Sequence, residues 1–193
     1  MSISDEVLVL KFKSGDKNSF RRLVERYQSK VYSIVLAMIE DKNDADDLSQ
    51  EVFIKVYRGL THFKGKSKFF TWLYRITINT CINAQNGRKR RPKTIFLSYP
   101  VGERGDPLST QLSQNTVKSP IEILKNKELG AKIKLAINSL SDELKEAFIL
   151  REVEDLSYKE LSKILQCPEG TIKSRLFRAR EEVRKKLTPY LGE

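Results

Sequence analysis

The sequence is poor in the residues that build metal sites and disulfide frameworks. Its 193 residues include one histidine, His62, and two cysteines, Cys81 and Cys167, which lie far apart along the chain. Disulfide-stabilised folds need several paired cysteines, and the common zinc sites need clustered cysteine and histidine ligands. We therefore expect no disulfide framework, no bound metal and no cofactor.

Long apolar runs and strand-like alternation are also missing. No segment approaches the ~18 consecutive apolar residues of a membrane-spanning helix. The first residues, 1–6, lack the basic flank and apolar stretch of a signal peptide. The sequence therefore predicts a cytoplasmic protein that does not insert into a membrane.

Basic residues outnumber acidic ones. The chain has 36 Lys and Arg residues against 25 Asp and Glu residues, a formal net charge of +11. Within residues 1–97 there are 19 basic and 10 acidic side chains, and within 119–193 there are 15 and 13. This balance favours a polyanionic partner such as nucleic acid, although a basic protein can also be basic only for solubility.

Apolar residues recur at helical spacing through most of the chain, for example from Phe20 to Met38. We predict an all-α fold with two small helical domains, residues 1–97 and 119–193. Residues 98–118 are rich in Ser, Pro, Gly and Gln without any period, which predicts a flexible linker. We expect Gly87 to end the fourth helix. Side chains that can cap a helix start precede four of the predicted helices: Asn43, Ser67, Ser119 and Ser141.

Residues 157–187 predict a helix-turn-helix in the second domain. Ser157 and Glu160 form a capping box, and Pro168 suits the first residue of the following helix. The second helix has one apolar stripe: Ile172, Leu176, Ala179, Val183 and Leu187. Its other side carries a polar and basic set: Lys173, Ser174, Arg175, Phe177 and Arg178. A short helix, a tight turn and a longer helix with a basic outer face are typical of DNA binding. The alternative is a helical hairpin whose basic side is merely solvated.

Two further groups of residues suggest binding surfaces in the first domain. One face of the third helix carries Asp47, Gln50 and Glu51. This face is either a docking surface for a basic helix or an ordinary solvated face. The loop 62–68 and the helix after it mix cations and aromatics, which suits unpaired DNA. The residues of this second group are Phe63, Lys64, Lys66, Lys68, Trp72, Arg75 and Asn79. The alternative is that the aromatic residues of this segment, above all Phe69 and Trp72, simply belong to the core.

Three separated motifs, taken in order, resemble bacterial extracytoplasmic-function sigma factors of the envelope-stress type. They are DDLSQEVF at 46–53, FFTWLYRI at 69–76 and GTIKSRLFRAR at 170–180. The resemblance implies that 1–97 is a region 2-like domain that binds RNA polymerase core and recognises the −10 element. It also implies that 119–193 is a region 4-like domain that reads the −35 element.

The resemblance also implies partners and residue roles. The partners are promoter DNA, the clamp of the largest polymerase subunit and the flap of the second largest, and an anti-sigma factor. Asp47, Gln50 and Glu51 correspond to the clamp-binding face. The loop 62–69 and Asn79 correspond to positions that capture a flipped −10 base, and the outer face of the last helix corresponds to the −35 contacts.

We therefore predict a promoter-specific transcription initiation factor for stress response, without enzymatic activity. The main alternative is an autonomous helix-turn-helix regulator whose first domain senses a signal or dimerises. A purely scaffolding or RNA-binding helical protein would leave the acidic face of the third helix and the basic loop unexplained.

Overall fold

The computed structural model describes residues 3–39, 41–90 and 120–191, and all regular structure in these ranges is helical. The helices are α1 Asp5–Lys13, α2 Lys17–Met38, α3 Lys42–Leu60, α4 Phe69–Arg90, α5 Pro120–Asn138, α6 Asp142–Glu154, α7 Tyr158–Leu165 and α8 Glu169–Leu191. The prediction of an all-α fold with a helix-turn-helix is confirmed. The predicted linker, 98–118, and the proposed Ser119 cap lie outside the described residues.

Helix starts differ slightly from the sequence prediction. Asp41, not Asn43, caps α3, because its carboxylate accepts hydrogen bonds from the amides of Asn43 and Asp44. The first hydrogen bond of α4 runs from the amide of Trp72 to the carbonyl of Lys68, so this helix starts one residue later than a Ser67 cap implies. Ser141 precedes α6, but its side chain makes no capping hydrogen bond.

The predicted end of α4 was also wrong. The helix continues through Gly87 to Arg90. A glycine costs about 1 kcal/mol in a helix interior relative to alanine, and a helix stabilised by packing tolerates that cost. Tertiary contact here outweighs local propensity, since the Gln85 side chain donates a 2.7 Å hydrogen bond to the carbonyl of Met38 at the end of α2.

Helices α1–α4 form the first unit, built around α2. The apolar stripe of α2 packs against α1, α3 and α4. Four of its side chains, Val31, Ile34, Val35 and Met38, have no solvent-accessible surface. They meet fully buried residues of the neighbouring helices, among them Val52 and Val56 of α3 and Leu73 of α4. Helices α5–α8 form the second unit, in which α8 packs against α5, α6 and α7.

The two units share one continuous apolar core. Helix α6 packs on α2 and helix α7 packs on α4. Buried residues of α6 and α7, such as Ile149, Leu150 and Leu161, belong to the same cluster as the core of the first unit. We call this packing of α6 and α7 on the first unit the closed arrangement.

A buried lysine joins the units at one end of the closed arrangement. Lys145 of α6 is only 4% exposed. Its Nζ donates hydrogen bonds of 2.8 Å to the Met38 carbonyl and 2.7 Å to Asn138 Oδ1. A lysine ammonium suits this place, because the C-terminus of α2 has unpaired carbonyl groups and a negative partial charge.

A buried tyrosine joins the units at the C-terminal end of α6. The hydroxyl of Tyr74, on α4, donates a 2.7 Å hydrogen bond to Glu154 Oε2 on α6. The same carboxylate oxygen lies 3.5 Å from Lys30 Nζ on α2. Burial and the hydrogen bond to Glu154 raise the pKa of Tyr74, so the phenol stays protonated and remains a donor.

We predict that Tyr74→Phe weakens the contact between the units. A net loss of about 0.5–1.5 kcal/mol in the free energy of unfolding is expected for one buried hydrogen bond. The matched control is Tyr27→Phe, which removes a tyrosine–carboxylate hydrogen bond, to Asp5, within the first unit. Amide hydrogen exchange in residues 142–154 should speed up in Tyr74→Phe and not in Tyr27→Phe. The same exchange pattern in both variants would contradict a bridging role for Tyr74.

Candidate nucleic-acid interface

Helix α8 presents its predicted basic face to solvent. The apolar stripe is buried as expected, with Ile172 and Ala179 at 0% exposure and Leu176 at 1%. On the opposite side Lys173, Ser174, Phe177 and Arg178 are exposed. Phe177 is 68% exposed, so this side chain adds almost nothing to packing within the unit.

The turn before α8 holds the two helices of the helix-turn-helix in place. The capping box of Ser157 and Glu160 is present at the start of α7. Gln166 ends α7 in the left-handed conformation, with φ 54°. Ser162 Oγ donates a 2.6 Å hydrogen bond to the Cys167 carbonyl in the turn. These contacts set the direction of α8 without involving its outer face.

Arg175 differs from the other residues predicted on this face. Its guanidinium forms a 2.8 Å ion pair with Glu143 of α6, and its side chain is 19% exposed. A second guanidinium nitrogen lies 3.8 Å from Cys167 Sγ. A direct contact from Arg175 to DNA would require this ion pair to break, so Arg178 is the better placed of the two arginines. No local sequence pattern indicates the Glu143 pairing, because Glu143 is 32 residues away.

The acidic face, Asp47, Gln50 and Glu51, is exposed along α3. Buried residues of the same helix, including Leu48 and Val52, hold the opposite side against the core. Glu51 forms a 2.7 Å ion pair with Lys55 one turn later. An exposed pair of this kind contributes little stability, so Glu51 is free to exchange its partner at low cost.

The basic loop, residues 62–68, is anchored by aromatic packing. The ring centroids of Phe63 and Trp72 are 5.0 Å apart, and those of Phe69 and Trp72 are 6.1 Å apart. Phe69 is a core residue at 2% exposure, whereas Phe63 and Trp72 are half-buried. A Cβ at Gly59 would lie 3.1 Å from the Trp72 ring, so this glycine lets the indole approach α3 closely. Trp72 is therefore partly structural.

The other predicted −10 residues fall into two environments. The loop lysines Lys64, Lys66 and Lys68 are exposed, and so is Asn79 on α4. Arg75, one helical turn before Asn79, is half-buried and donates a 2.6 Å hydrogen bond to the carbonyl of Lys163 on α7. The closed arrangement thus covers Arg75 with the helix-turn-helix and leaves Asn79 open.

Sequence reasoning missed this contact between the two predicted sites. It treated the −10-like and −35-like residues as belonging to separate units on a tether. No local pattern identifies Lys163 as a partner of Arg75, because their contact depends on how the two units pack.

Family models match both units. Residues 23–91 match the model described as sigma-70 region 2, and residues 131–183 match the model described as sigma-70, region 4. These matched residues lie within the two domains predicted from the sequence, and together they cover more than half of the chain.

Known relatives are similar over nearly the whole chain. The RNA polymerase sigma-H factor of Pseudomonas aeruginosa is 40% identical over 189 residues, which is 98% of this chain and 96% of the relative. The ECF RNA polymerase sigma-E factors of Haemophilus influenzae and Escherichia coli are 39% and 38% identical, over 98% of this chain and 98% and 97% of their own lengths. Such identity over full length covers the folded units and the segment between them.

Solved structures share the fold. CnrH, in complex with the cytosolic domain of CnrY, gives a TM-score of 0.71 at 20% identity and covers 97% of this chain and 99% of its own. The sigma factor RpoE from Bartonella quintana, in complex with the anti-sigma factor NepR, gives 0.63 at 23% identity and covers 88% and 96%.

The chain belongs to the sigma-70 family of RNA polymerase sigma factors, in its extracytoplasmic-function branch. It is a transcription initiation factor that directs RNA polymerase to promoters. The comparisons give no support to the alternative of an autonomous regulator. Within the described residues there is no helix long and apolar enough to cross a membrane and no cluster of metal-binding side chains.

We predict a pH dependence of stability from Glu146, which lies on α6 near Arg175. Burial, reinforced by Asp142 and Glu143, raises its pKa to about 7. Between these two values the folded protein keeps the Glu146 carboxyl protonated, whereas the unfolded chain releases that proton above the ordinary pKa of 4.5. The contribution of Glu146 to the free energy of unfolding is therefore fully present below pH 4.5 and is lost as the pH rises to about 7.

The variant Glu146→Gln should remove this loss. Its free energy of unfolding relative to wild type should increase from pH 5 to pH 7.5, by about 1 kcal/mol after allowance for partial exposure of the carboxyl. Urea unfolding at several pH values measures the difference. A difference that does not change with pH would show that Glu146 ionises normally in the folded protein.

Proposed function

We propose that this sigma factor divides its work among three surfaces of the described structure. The acidic face of α3 docks on the clamp of the largest subunit of RNA polymerase. The basic loop with Trp72, Arg75 and Asn79 captures the −10 element, and the outer face of α8 reads the −35 element. The observation that supports this division best is the exposure of polar and aromatic residues on α3 and α8 opposite fully buried stripes.

The acidic face fits a basic helical partner. Asp47, Gln50 and Glu51 are exposed; Asp47 has no ion pair in the described part of the chain, and Glu51 has only a solvent-exposed one. Charged groups of this kind steer a complementary surface and suppress a like-charged one. Region 4, carried by the second unit, would contact the flap of the second largest subunit.

The −10 assignment fits the mixed chemistry of the loop. Exposed lysines follow a phosphate backbone, and half-buried aromatics such as Phe63 and Trp72 offer edges and faces for unstacked bases. Asn79 is exposed one turn beyond Arg75, where its amide can hydrogen-bond a base edge. Arg75 becomes available only when α7 leaves α4.

Regulation by an anti-sigma factor is also part of the proposal. Two related folds were solved as complexes, CnrH with CnrY and RpoE with NepR. A partner that holds the closed arrangement would keep Arg75 covered. We place this exchange in the cytoplasm, where RNA polymerase and the promoters are.

Transcription reconstituted with core polymerase tests the function as a whole. The protein should give promoter-specific transcripts from core enzyme that has no other sigma factor. Start sites mapped after overexpression in cells supply the promoter templates. No specific transcript from any such template would contradict the proposal.

We predict that Asp47→Lys combined with Glu51→Lys abolishes core binding. The change places like charges opposite each other on the proposed clamp surface. The fold should survive because both side chains are exposed. The charge-matched control, Glu25→Lys with Glu128→Lys, alters exposed residues of α2 and α5 and should bind core normally. Normal pull-down of core by the first variant would exclude the acidic face as the docking surface.

We predict that Arg178→Ala lowers binding of the holoenzyme to cognate promoters. If Arg178 contacts a base edge, the loss should be about 1–3 kcal/mol and should relax preference at one −35 position. If it contacts a phosphate, all sequences should weaken alike and the salt dependence should flatten. Arg175→Ala should have a smaller effect, since Arg175 is already paired with Glu143.

The control for the −35 experiment is Lys185→Ala, which removes an exposed cation farther along α8. Binding should be measured on single-base −35 variants at two salt concentrations. Wild-type affinity and preference in both arginine variants would show that α8 does not read the promoter.

A further inference from the structure

A cleft between the two units has five cations among its ten lining residues. Its volume is about 560 Å³, within the usual range for small-molecule sites. One wall is the basic loop and the start of α4, with Lys66, Lys68 and Arg75. The other wall is α7, with Lys159 and Lys163. We call this space the cationic cleft, and it exists only in the closed arrangement.

The positive charge of the cleft is not balanced by the protein. Among the described residues no carboxylate lies within 4.0 Å of any of its four lysine ammonium groups. Glu160, the single acidic residue of the lining, is already engaged by Ser157 in the capping box, with a 2.9 Å hydrogen bond from the Ser157 amide. Like charges brought together from two units oppose their association.

Lysines on both walls of the cleft interact electrostatically with the Glu160 carboxylate. The hydrogen bonds from Ser157 chiefly lower the pKa of Glu160, and Lys68 and Lys163 lower it further. Lys68 belongs to the first unit and Lys163 to the second. Both lysines line the same cleft, so one anion in it would face cations of both units.

An unpaired donor lines the same cleft. Arg75 Nε is buried and has no hydrogen-bond partner in the described structure, while another nitrogen of the guanidinium donates to the Lys163 carbonyl. A buried donor without an acceptor costs about 1–3 kcal/mol. An anionic oxygen in the cleft would satisfy this group, and the hydroxyls of Ser67 and Thr71 on the same lining can donate further hydrogen bonds.

We propose that the cationic cleft binds a small polyphosphate, a molecule with two or more linked phosphate groups. Phosphate oxygens accept several charge-assisted hydrogen bonds at once from lysine and arginine. A single phosphate carries too little charge to offset cations on both walls. A bound polyphosphate neutralises the repulsion between the units, so it stabilises the closed arrangement by mass action and keeps Arg75 covered.

The cleft site does not depend on the promoter-binding roles proposed above. Its effect on transcription does, because only a −10 role for Arg75 would make closure inhibitory. The helix N-terminus of α7 is not the binding element by itself, since its capping box already pairs the Ser157 amide with the Glu160 carboxylate and the Glu160 amide with Ser157 Oγ.

Calorimetric titration of the full chain with inorganic triphosphate tests the site, in buffer without divalent cations and at constant ionic strength. Wild type should bind triphosphate at least tenfold more tightly than orthophosphate. Lys159→Ala combined with Lys163→Ala should weaken triphosphate binding at least tenfold. The control, Lys185→Ala with Lys186→Ala, removes two exposed cations of α8 and should bind as wild type does.

A second measurement ties binding to closure. Small-angle scattering should show a smaller radius of gyration with triphosphate than without it in wild type. The variant Lys159→Glu with Lys163→Glu should be compact without triphosphate and should not respond to it, because its carboxylates replace the anion. Both alanine and glutamate variants should still bind core polymerase, since the acidic face is unchanged.

Three results would overturn the proposal. Equal triphosphate binding by wild type and Lys159→Ala with Lys163→Ala would show only general attraction to a basic protein. Triphosphate binding without any change in compactness would contradict the claim that the anion stabilises the closed arrangement. If binding of a single-stranded oligonucleotide requires Lys159 and Lys163 but binding of triphosphate does not, the cleft is a DNA site. Failure of the sigma function would appear separately, as no specific transcript from wild type.

Discussion

The packing of α6 and α7 against α2 and α4 is the constraint on which the rest of the structure depends. It merges two small helical units into one apolar core, so neither unit has to bury its apolar face alone. Small folded units bury a smaller fraction of their surface than large ones, and shared burial adds stability at the interface. The cost is that surfaces facing this interface are not available to other partners.

The polar contacts of the interface determine its geometry more than its strength. Lys145 on the Met38 carbonyl and Tyr74 on Glu154 are directional and buried. Separating the units would break these two contacts, but water would hydrate the freed groups, Lys145 would keep its hydrogen bond to Asn138, and the Met38 carbonyl would keep the one from Gln85. Buried polar groups of this kind favour one relative arrangement while adding only modest net free energy. An interface of this type can hold a closed arrangement and still be opened by a stronger partner.

The sequence predicted the helices and the exposed faces better than it predicted contacts between distant segments. The stripe from Ile172 to Val183 specified which side of α8 is buried, because helical periodicity is local information. Capping was less reliable: Asp41 rather than Asn43 starts α3, since several acidic and amide side chains near the start can compete for the same amides. The pairings of Arg175 with Glu143 and of Arg75 with Lys163 could not be predicted, because they arise from packing between helices.

The closed arrangement affects the three proposed surfaces unequally, and this inequality suggests an order of events. The acidic face of α3 and the outer face of α8 are exposed while the units are together, so neither requires opening. Arg75 alone of the predicted contact residues is covered by the other unit. Docking on core polymerase can therefore precede opening, whereas full use of the −10 surface cannot. A ligand that binds one arrangement better than another shifts the balance only by its difference in affinity. Because the acidic face of α3 is exposed in the closed arrangement, polymerase binding through α3 alone has no preference between closed and open units and would not open them.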